Sequence, residues 1–263
     1  RGERAVEEWR TALADDPDAG EYTKEVRREL SDALLRTGRI RVAIEALEER
    51  LALDDQDARG HLGLATAFTQ TGDIGLAIEH LERALVIDPS LHEARGTLGA
   101  ILVGEGRVEE GIIALAGAAA ALPDSAPAAF NLGMACRAAG RIDSAIESLA
   151  RAVELDGTLL RARFELGVAY ALAERFDEAG EQFAAVVAAE PDQRGAHGNL
   201  VRSLMRAGRW SEARTAVRTA LTIFPGEPTL SWQEAGFLTV TPGAALRDLQ
   251  RADAADVGDD VDQ

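Results

Sequence analysis

The residues best able to do chemistry in this chain are few and scattered. They are four histidines, His61, His80, His92 and His197, and one cysteine, Cys136. Metal and hydrolytic chemistry needs such groups at fixed spacing. An HExxH turn puts two imidazoles on one helix face, a CxxC pair grips one ion, and a GxSxG elbow exposes a nucleophile. None of these stretches occurs. A lone histidine on a helix is by default a solvated or packed side chain. The expectation is therefore a chain that is not an enzyme, with no catalytic residue, no metal ligand and no cofactor. The aspartates of "DDPD" (15–18) and "DDQD" (54–57) invite a calcium reading. They lack the spaced ligands, the central Gly and the closing Glu of a calcium loop, and are read as loop and helix-end charge. A single cysteine excludes an internal disulfide.

What positions side chains in this sequence is a ruler of 34 residues. Gly38, Gly72, Gly106, Gly140, Glu174 and Gly208 stand 34 apart. Five residues after each come Ala43, Ala77, Gly111, Ala145, Ala179 and Ala213, all tiny. Nine after each come Leu47, Leu81, Leu115, Leu149, Phe183 and Val217, all large and apolar. Seventeen after each come Asp55, Pro89, Pro123, Gly157, Pro191 and Pro225, all turn residues. Such a period is the signature of stacked supersecondary units, each unable to bury its apolar face alone.

Within one unit, residues 160–193, helical periodicity runs through Phe164, Leu166, Gly167 and Tyr170. A second amphipathic stretch ends at Pro191, which lacks the N–H that a continuing helix needs. Between the two lies the ruler position, where glycine in the other units supplies a positive φ. Gly167 and Ala179 allow close helix approach, with Leu166, Tyr170 and Phe183 filling the space around them.

Bulk composition agrees. Of 263 residues, 46% are hydrophobic but only 5% aromatic, the apolar share being mainly Ala and Leu, which favour helix. A formal net charge of -17 argues against nucleic acid and anionic membrane as general partners, because neither is neutralised. The longest apolar run, "GIIALAGAAAAL" from Gly111, is too short to cross a bilayer, so no membrane insertion is expected. No leader peptide is visible, and a soluble protein is expected, with the cytoplasm ahead of the periplasm.

The series Leu166, Gly167, Tyr170, Ala179, Phe183, Pro191 resembles the tetratricopeptide repeat. So does Leu132, Gly133, Cys136, Ala145, Leu149, Ala152, and so does Leu98, Gly99, Leu102, Gly111, Leu115, Ala118, Pro123. Arg163 stands where the family has an aromatic residue. The resemblance implies an all-α fold, a right-handed α-solenoid of antiparallel helical hairpins. Six full repeats are expected over 24–227, with hairpins starting at 24, 58, 92, 126, 160 and 194. Residues 1–23 are expected to be a linker and a partial repeat carrying only a second helix. Residues 228–251 are expected to cap the array with Trp232 and Phe237, and 252–263 to form a disordered acidic tail.

The resemblance also implies where a ligand would lie. In such arrays the first helices of successive hairpins line a concave groove. Here those columns carry Phe130, Met134, Phe164 and Val168 as an apolar stretch bordered by Arg137 and Arg161. Asn131 and Asn199 lie nine residues before their turns, where an asparagine can hydrogen-bond an extended peptide. Arg202 and Arg206 extend the groove into the last repeat, where residues 194–227 hold six arginines against Glu212 and Glu227. A chaperone-tail carboxylate clamp is not expected, since Asp32 and Gly63 occupy positions it needs.

The implied function is a non-catalytic scaffold for protein–protein interaction that holds a peptide or helix of a partner protein. Two alternatives are a structural assembly subunit of a larger complex, membrane-bound or not, and the recruiting part of a longer enzyme.

Overall fold

The computed structural model describes residues 21–224; the expected capping segment, the acidic tail and the start of the chain through residue 20 lie outside them. The described residues form twelve α-helices and no strand. These are α1 (Glu21–Arg36), α2 (Ile40–Leu53), α3 (Ala58–Thr71), α4 (Ile74–Ile87), α5 (His92–Gly104) and α6 (Val108–Ala121). They continue with α7 (Ala126–Ala138), α8 (Ile142–Leu155), α9 (Leu160–Leu172), α10 (Phe176–Ala189), α11 (Arg194–Arg206) and α12 (Trp210–Ile223). Consecutive helices pair as hairpins. The chain divides into two compact units, one ending at Pro123 and one beginning at Asp124, each with three described hairpins.

The ruler positions are the turns. Gly38, Gly72, Gly106, Gly140 and Gly208 have φ between 72° and 87°, and Glu174 joins them at 58°. In each turn the next residue's N–H reaches back to a carbonyl of the first helix. Arg141 N–H donates to Cys136 C=O at 2.9 Å and Arg175 N–H to Tyr170 C=O at 2.9 Å. That bond closes over a left-handed residue, so the position favours glycine.

The other columns are core. Ala43, Ala77, Ala145, Ala179 and Ala213 are fully buried, as are Leu47, Leu81 and Leu149, with Leu115 and Phe183 nearly so. In three hairpins the large residue of the second helix, Leu115, Leu149 or Phe183, sits against a glycine of the first. A Cβ placed on Gly133 would lie 2.6 Å from Leu149 Cγ, and one on Gly167 would lie 2.9 Å from Phe183. In hairpin α5–α6 both partners are glycine at the crossing. A Cβ on Gly111 would lie 2.6 Å from Gly99 O, and one on Gly99 would lie 2.9 Å from Gly111 O.

Two of the loops that join hairpins cap the next helix with a side chain. Asp57 Oδ1 accepts from Gly60 N–H at 3.0 Å and caps α3; Ser125 Oγ accepts from Ala128 N–H at 3.3 Å and caps α7, with Pro127 in its first turn. Asp54 accepts from Gln56 N–H at 3.1 Å, and Asp88 and Asp156 accept from Ser90 and Thr158 N–H at 2.9 Å. The aspartates at 54 and 57 thus act as turn and cap acceptors.

Among the described residues of the first unit, one arginine is buried. Arg50 Nε donates to Asp57 Oδ2 at 2.5 Å and Nη1 to Ser31 Oγ at 3.3 Å, with the Arg50 side chain 8% exposed. This ties α1, α2 and the cap of α3 together. Burial raises the Asp57 carboxyl, but the Arg50 hydrogen bond, the Gly60 amide and the Arg50 charge outweigh it and hold the group below its ordinary value.

Candidate functional site

The first helices of the second unit, α7, α9 and α11, carry the groove residues named above; the same columns in the first unit hold Leu62, Ala100 and Val103. The structure places the residues of the second unit in two groups.

The first group surrounds Phe130 on α7. This ring is 9% exposed and belongs to the core built on Leu149, Leu166 and Ala169. Met134 is half-buried against the same cluster. Arg161, from the start of α9, lies over the Phe130 ring with its guanidinium carbon 5.2 Å from the centroid. Phe130 is therefore a core ring lidded by an arginine, where the sequence places it in the apolar stretch of the groove. Arg137 is closed as well: its Nε lies 3.3 Å from Glu165 Oε2, in a pair whose side chains are 30% and 16% exposed. Asn131 is exposed beside this group.

The second group surrounds Phe164 and Val168 on α9, both half-buried against the core of Phe183, Leu200 and Leu204. Phe164 meets Phe183 edge-on, centroids 5.5 Å apart at 69°. Gly195 of α11 lies beside the ring, where a Cβ would only reach ordinary contact at 3.8 Å. Further along, a cleft of about 350 Å³ opens between α9, α10 and α11. Val168, Ala171, Leu172 and Phe183 line it on the apolar side, and Asn199, Arg202, Arg206 and Glu174 on the polar side. Arg202 Nη1 lies 3.5 Å from Asn199 Oδ1. The guanidinium carbon of Arg206 lies over the Phe176 ring, 4.6 Å from its centroid.

The structure thus brings Val168, Asn199, Arg202 and Arg206 into one cleft, while Phe164 packs on Phe183, which lines it. It keeps Phe130, Met134 and Arg161 in another cluster and pairs Arg137 with Glu165. The sequence reading missed Phe176. The signal was there: two residues past each turn the chain reads Ile40, Ile74, Val108, Ile142, Phe176 and Trp210, turning aromatic in the last two.

In the first unit the corresponding surface is polar. A cleft of about 420 Å³ is lined by Arg28, Arg36, Arg59, Glu29, Asp32 and Glu93, among others. Its mixed charge differs from the apolar-floored cleft of the second unit.

The other reactive groups form no centre. Among the described residues no cluster of three or more His, Cys, Asp and Glu could hold a metal. Cys136 is buried, and burial pushes its thiol up against the smaller opposing charge of Arg141, which leaves little thiolate. His61 and His80 do meet, Nδ1 to Nδ1 at 2.9 Å, within hairpin α3–α4. No helix among the described residues is long and apolar enough to cross a membrane.

Antiparallel helical hairpins repeated every 34 residues, with small residues at each crossing, define an α-solenoid of two-helix repeats. The sequence profile of the tetratricopeptide repeat matches residues 28–92 and 97–159, and a second profile of that repeat matches 137–194 and 170–231; the chain belongs to the tetratricopeptide repeat family. No protein of curated function matches it by sequence. Among solved structures, it is similar to YrrB, described as a TPR protein with an unusual peptide-binding site: 23% identity, TM-score 0.64, covering 74% of this chain and 98% of that one. It is similar to PilW, a type IV pilus biogenesis factor, at 20% identity and TM-score 0.68, covering 84% and 100%. It is also similar to MamA from Desulfovibrio magneticus RS-1 at 25% identity and TM-score 0.58, covering 65% and 96%.

Proposed function

We propose that this chain is a non-catalytic scaffold that holds a peptide or helix of a partner protein against the first helices of its second unit. The observation that carries the reading is the cleft lined by Val168 and Phe183 together with Asn199, Arg202 and Arg206, with Phe164 packed on Phe183. An apolar centre with a polar rim is the usual anatomy of an interface, and an aromatic anchor usually carries its energy. Phe164 is the anchor in this reading, since it keeps exposed surface while Phe130 has almost none. The likeness to YrrB, a protein described by its peptide-binding site, supports the same reading.

The test is capture of partners by the full chain and by Phe164→Ala, with helicity followed by circular dichroism. Losing the anchor should cost roughly 2–4 kcal/mol of binding, about 30- to 1000-fold in affinity. A partner lost by Phe164→Ala at unchanged helicity supports the groove. A partner held undiminished moves the interface elsewhere.

The second reading, a subunit of a larger assembly, is favoured by Val86 on α4 and Ile113 on α6. These second helices of the first unit leave the two side chains 71% and 72% exposed. A partner lost by Val86→Ser with Ile113→Ser, and kept by Phe164→Ala, selects that reading.

A further inference from the structure

We propose that the cleft beside Val168 takes an acidic segment of a partner protein, with a Glu or Asp side-chain carboxylate held by Arg206 and Arg202 and the neighbouring apolar side chain seated against Val168 and Leu172. The proposal rests on the groove reading above and specifies what the groove binds.

Arg206 is the key to it. Its guanidinium lies over the Phe176 ring at 4.6 Å. The N–H donors of a guanidinium lie in its plane, at the edge. A guanidinium carbon seated over the ring leaves N–H donors on its outer side for a carboxylate. This contact also fixes the side chain beforehand, so less rotamer freedom is lost on binding.

Other arginines of the hairpin turns are closed locally. Arg107 pairs with Glu110 at 2.7 Å, Arg175 with Glu178 at 2.7 Å and Arg209 with Glu212 at 2.6 Å. Arg175 makes the sharpest contrast. It lies over the Tyr170 ring, also at 4.6 Å, yet Glu178 occupies its donors. Arg206 pairs with no carboxylate among the described residues.

Arg202 precedes Arg206 by one turn of α11, so both project to the same side. Among the described residues, the cleft lining carries these two cations against one carboxylate, Glu174. The chain as a whole carries -17. An acidic segment is repelled by most of this molecule and attracted here, which fixes its place and register more than it adds raw affinity. Leu172, 56% exposed, and half-buried Val168 supply apolar surface next to the cations. A volume of about 350 Å³ admits side chains, not a folded domain.

The probe is a fluorescein-labelled, C-terminally amidated peptide in which Leu alternates with Glu, compared by anisotropy with the same peptide carrying Gln for Glu. The full chain should bind the Glu peptide about ten-fold or more tightly than the Gln peptide, the usual worth of a hydrogen bond to a charged group. Arg206→Gln should abolish that preference. Arg206→Lys should lose most of it, because an ammonium offers no planar fork. Arg218→Gln, on α12 and outside the cleft lining, should keep it. Equal binding of the two peptides by the unaltered chain overturns the proposal. So does an equal loss in Arg218→Gln, which would mean a general charge effect. No binding of the Glu peptide also overturns it, while the groove reading is decided separately by partner capture with Phe164→Ala.

Discussion

Nδ1 of His61 lies 2.9 Å from Nδ1 of His80, joining α3 to α4 across the turn at Gly72. His61 Nε2 lies 3.3 Å from the Asp55 carbonyl and so carries a proton, which leaves its Nδ1 lone pair to accept from His80 Nδ1–H. The His80 ring also stacks on Phe68, centroids 5.6 Å apart. Burial, and then the His61 ring, hold His80 below its ordinary pKa of 6.5, against the smaller opposing pull of Glu79 and Glu48. The unfolded chain therefore binds a proton at His80 more readily than the folded one. This contribution to stability is complete above about pH 6.5 and is lost as pH falls towards the folded value. Chemical melts at neutral and mildly acid pH should show a drop that His80→Phe reduces while keeping the stack on Phe68. A variant that loses as much stability on acidification as the parent removes His80 as the cause.

The crossing of Gly99 and Gly111 makes a second prediction. Alanine favours helix over glycine by about 1 kcal/mol, so either substitution would stabilise an open site. Here the added Cβ meets a carbonyl oxygen of the other helix at 2.6–2.9 Å, and backbone cannot step aside as a flexible side chain does. Overpacking costs about 1–3 kcal/mol, and the hairpin would also have to spread from Leu115. Gly111→Ala should lower the melting temperature. Gly96→Ala in the same hairpin, whose Cβ would meet only Ala118 at 3.7 Å, should raise it. The opposite order would mean that the helices cross with room to spare.

These cases show which parts of the molecule are legible in its sequence. The turns and the core columns depend on local chemistry and on small residues facing large ones, so a 34-residue ruler finds them. Even the departure from the ruler keeps its conformation, as Glu174 adopts the left-handed backbone of the glycines. Exposure in the groove is harder to read because long side chains decide it. Arg161 covers Phe130 and Glu165 closes Arg137, and neither follows from helix periodicity. Phe176 escaped because it comes from a second helix, whereas the resemblance places the groove on first helices. His61 and His80 look scattered along the chain, yet the hairpin brings them together.

Glu174 makes the third prediction. A non-glycine residue at φ 58° strains its Cβ against the following carbonyl, at a cost of roughly 1–2 kcal/mol. Glu174→Gly should therefore stabilise the chain, by about 1 kcal/mol once the greater freedom of glycine in the unfolded state is set against it. Gly140→Glu, at the same place one repeat earlier, should destabilise it by a similar amount. The pair is read from denaturant midpoints at unchanged slope. If Glu174→Gly leaves the midpoint where it was, or lowers it, the carboxylate contributes more than the backbone strain costs.

Phe130 and Phe164 occupy equivalent places one repeat apart, and the structure gives them different tasks. Phe130 is 9% exposed, sits in the core of Leu149 and Leu166, and has Arg161 over its face. Phe164 stays half-buried, touching Phe183 only by an edge-on contact at 5.5 Å. Removing a buried phenylalanine costs the transfer of its ring plus the cavity left behind, about 3–5 kcal/mol. Phe130→Ala should therefore unfold at a markedly lower denaturant concentration. Phe164→Ala should cost less, because part of its surface is already in water and Gly195 beside it leaves room to relax. Phe130→Leu, which keeps most of the volume, should recover most of the stability lost by Phe130→Ala. Arg161→Gln separates the lid from the ring: it removes the cation and should cost only about 0.5–1 kcal/mol at this exposed site. Equal midpoints for Phe130→Ala and Phe164→Ala would mean that the two rings are packed alike and that Phe164 is core rather than an anchor.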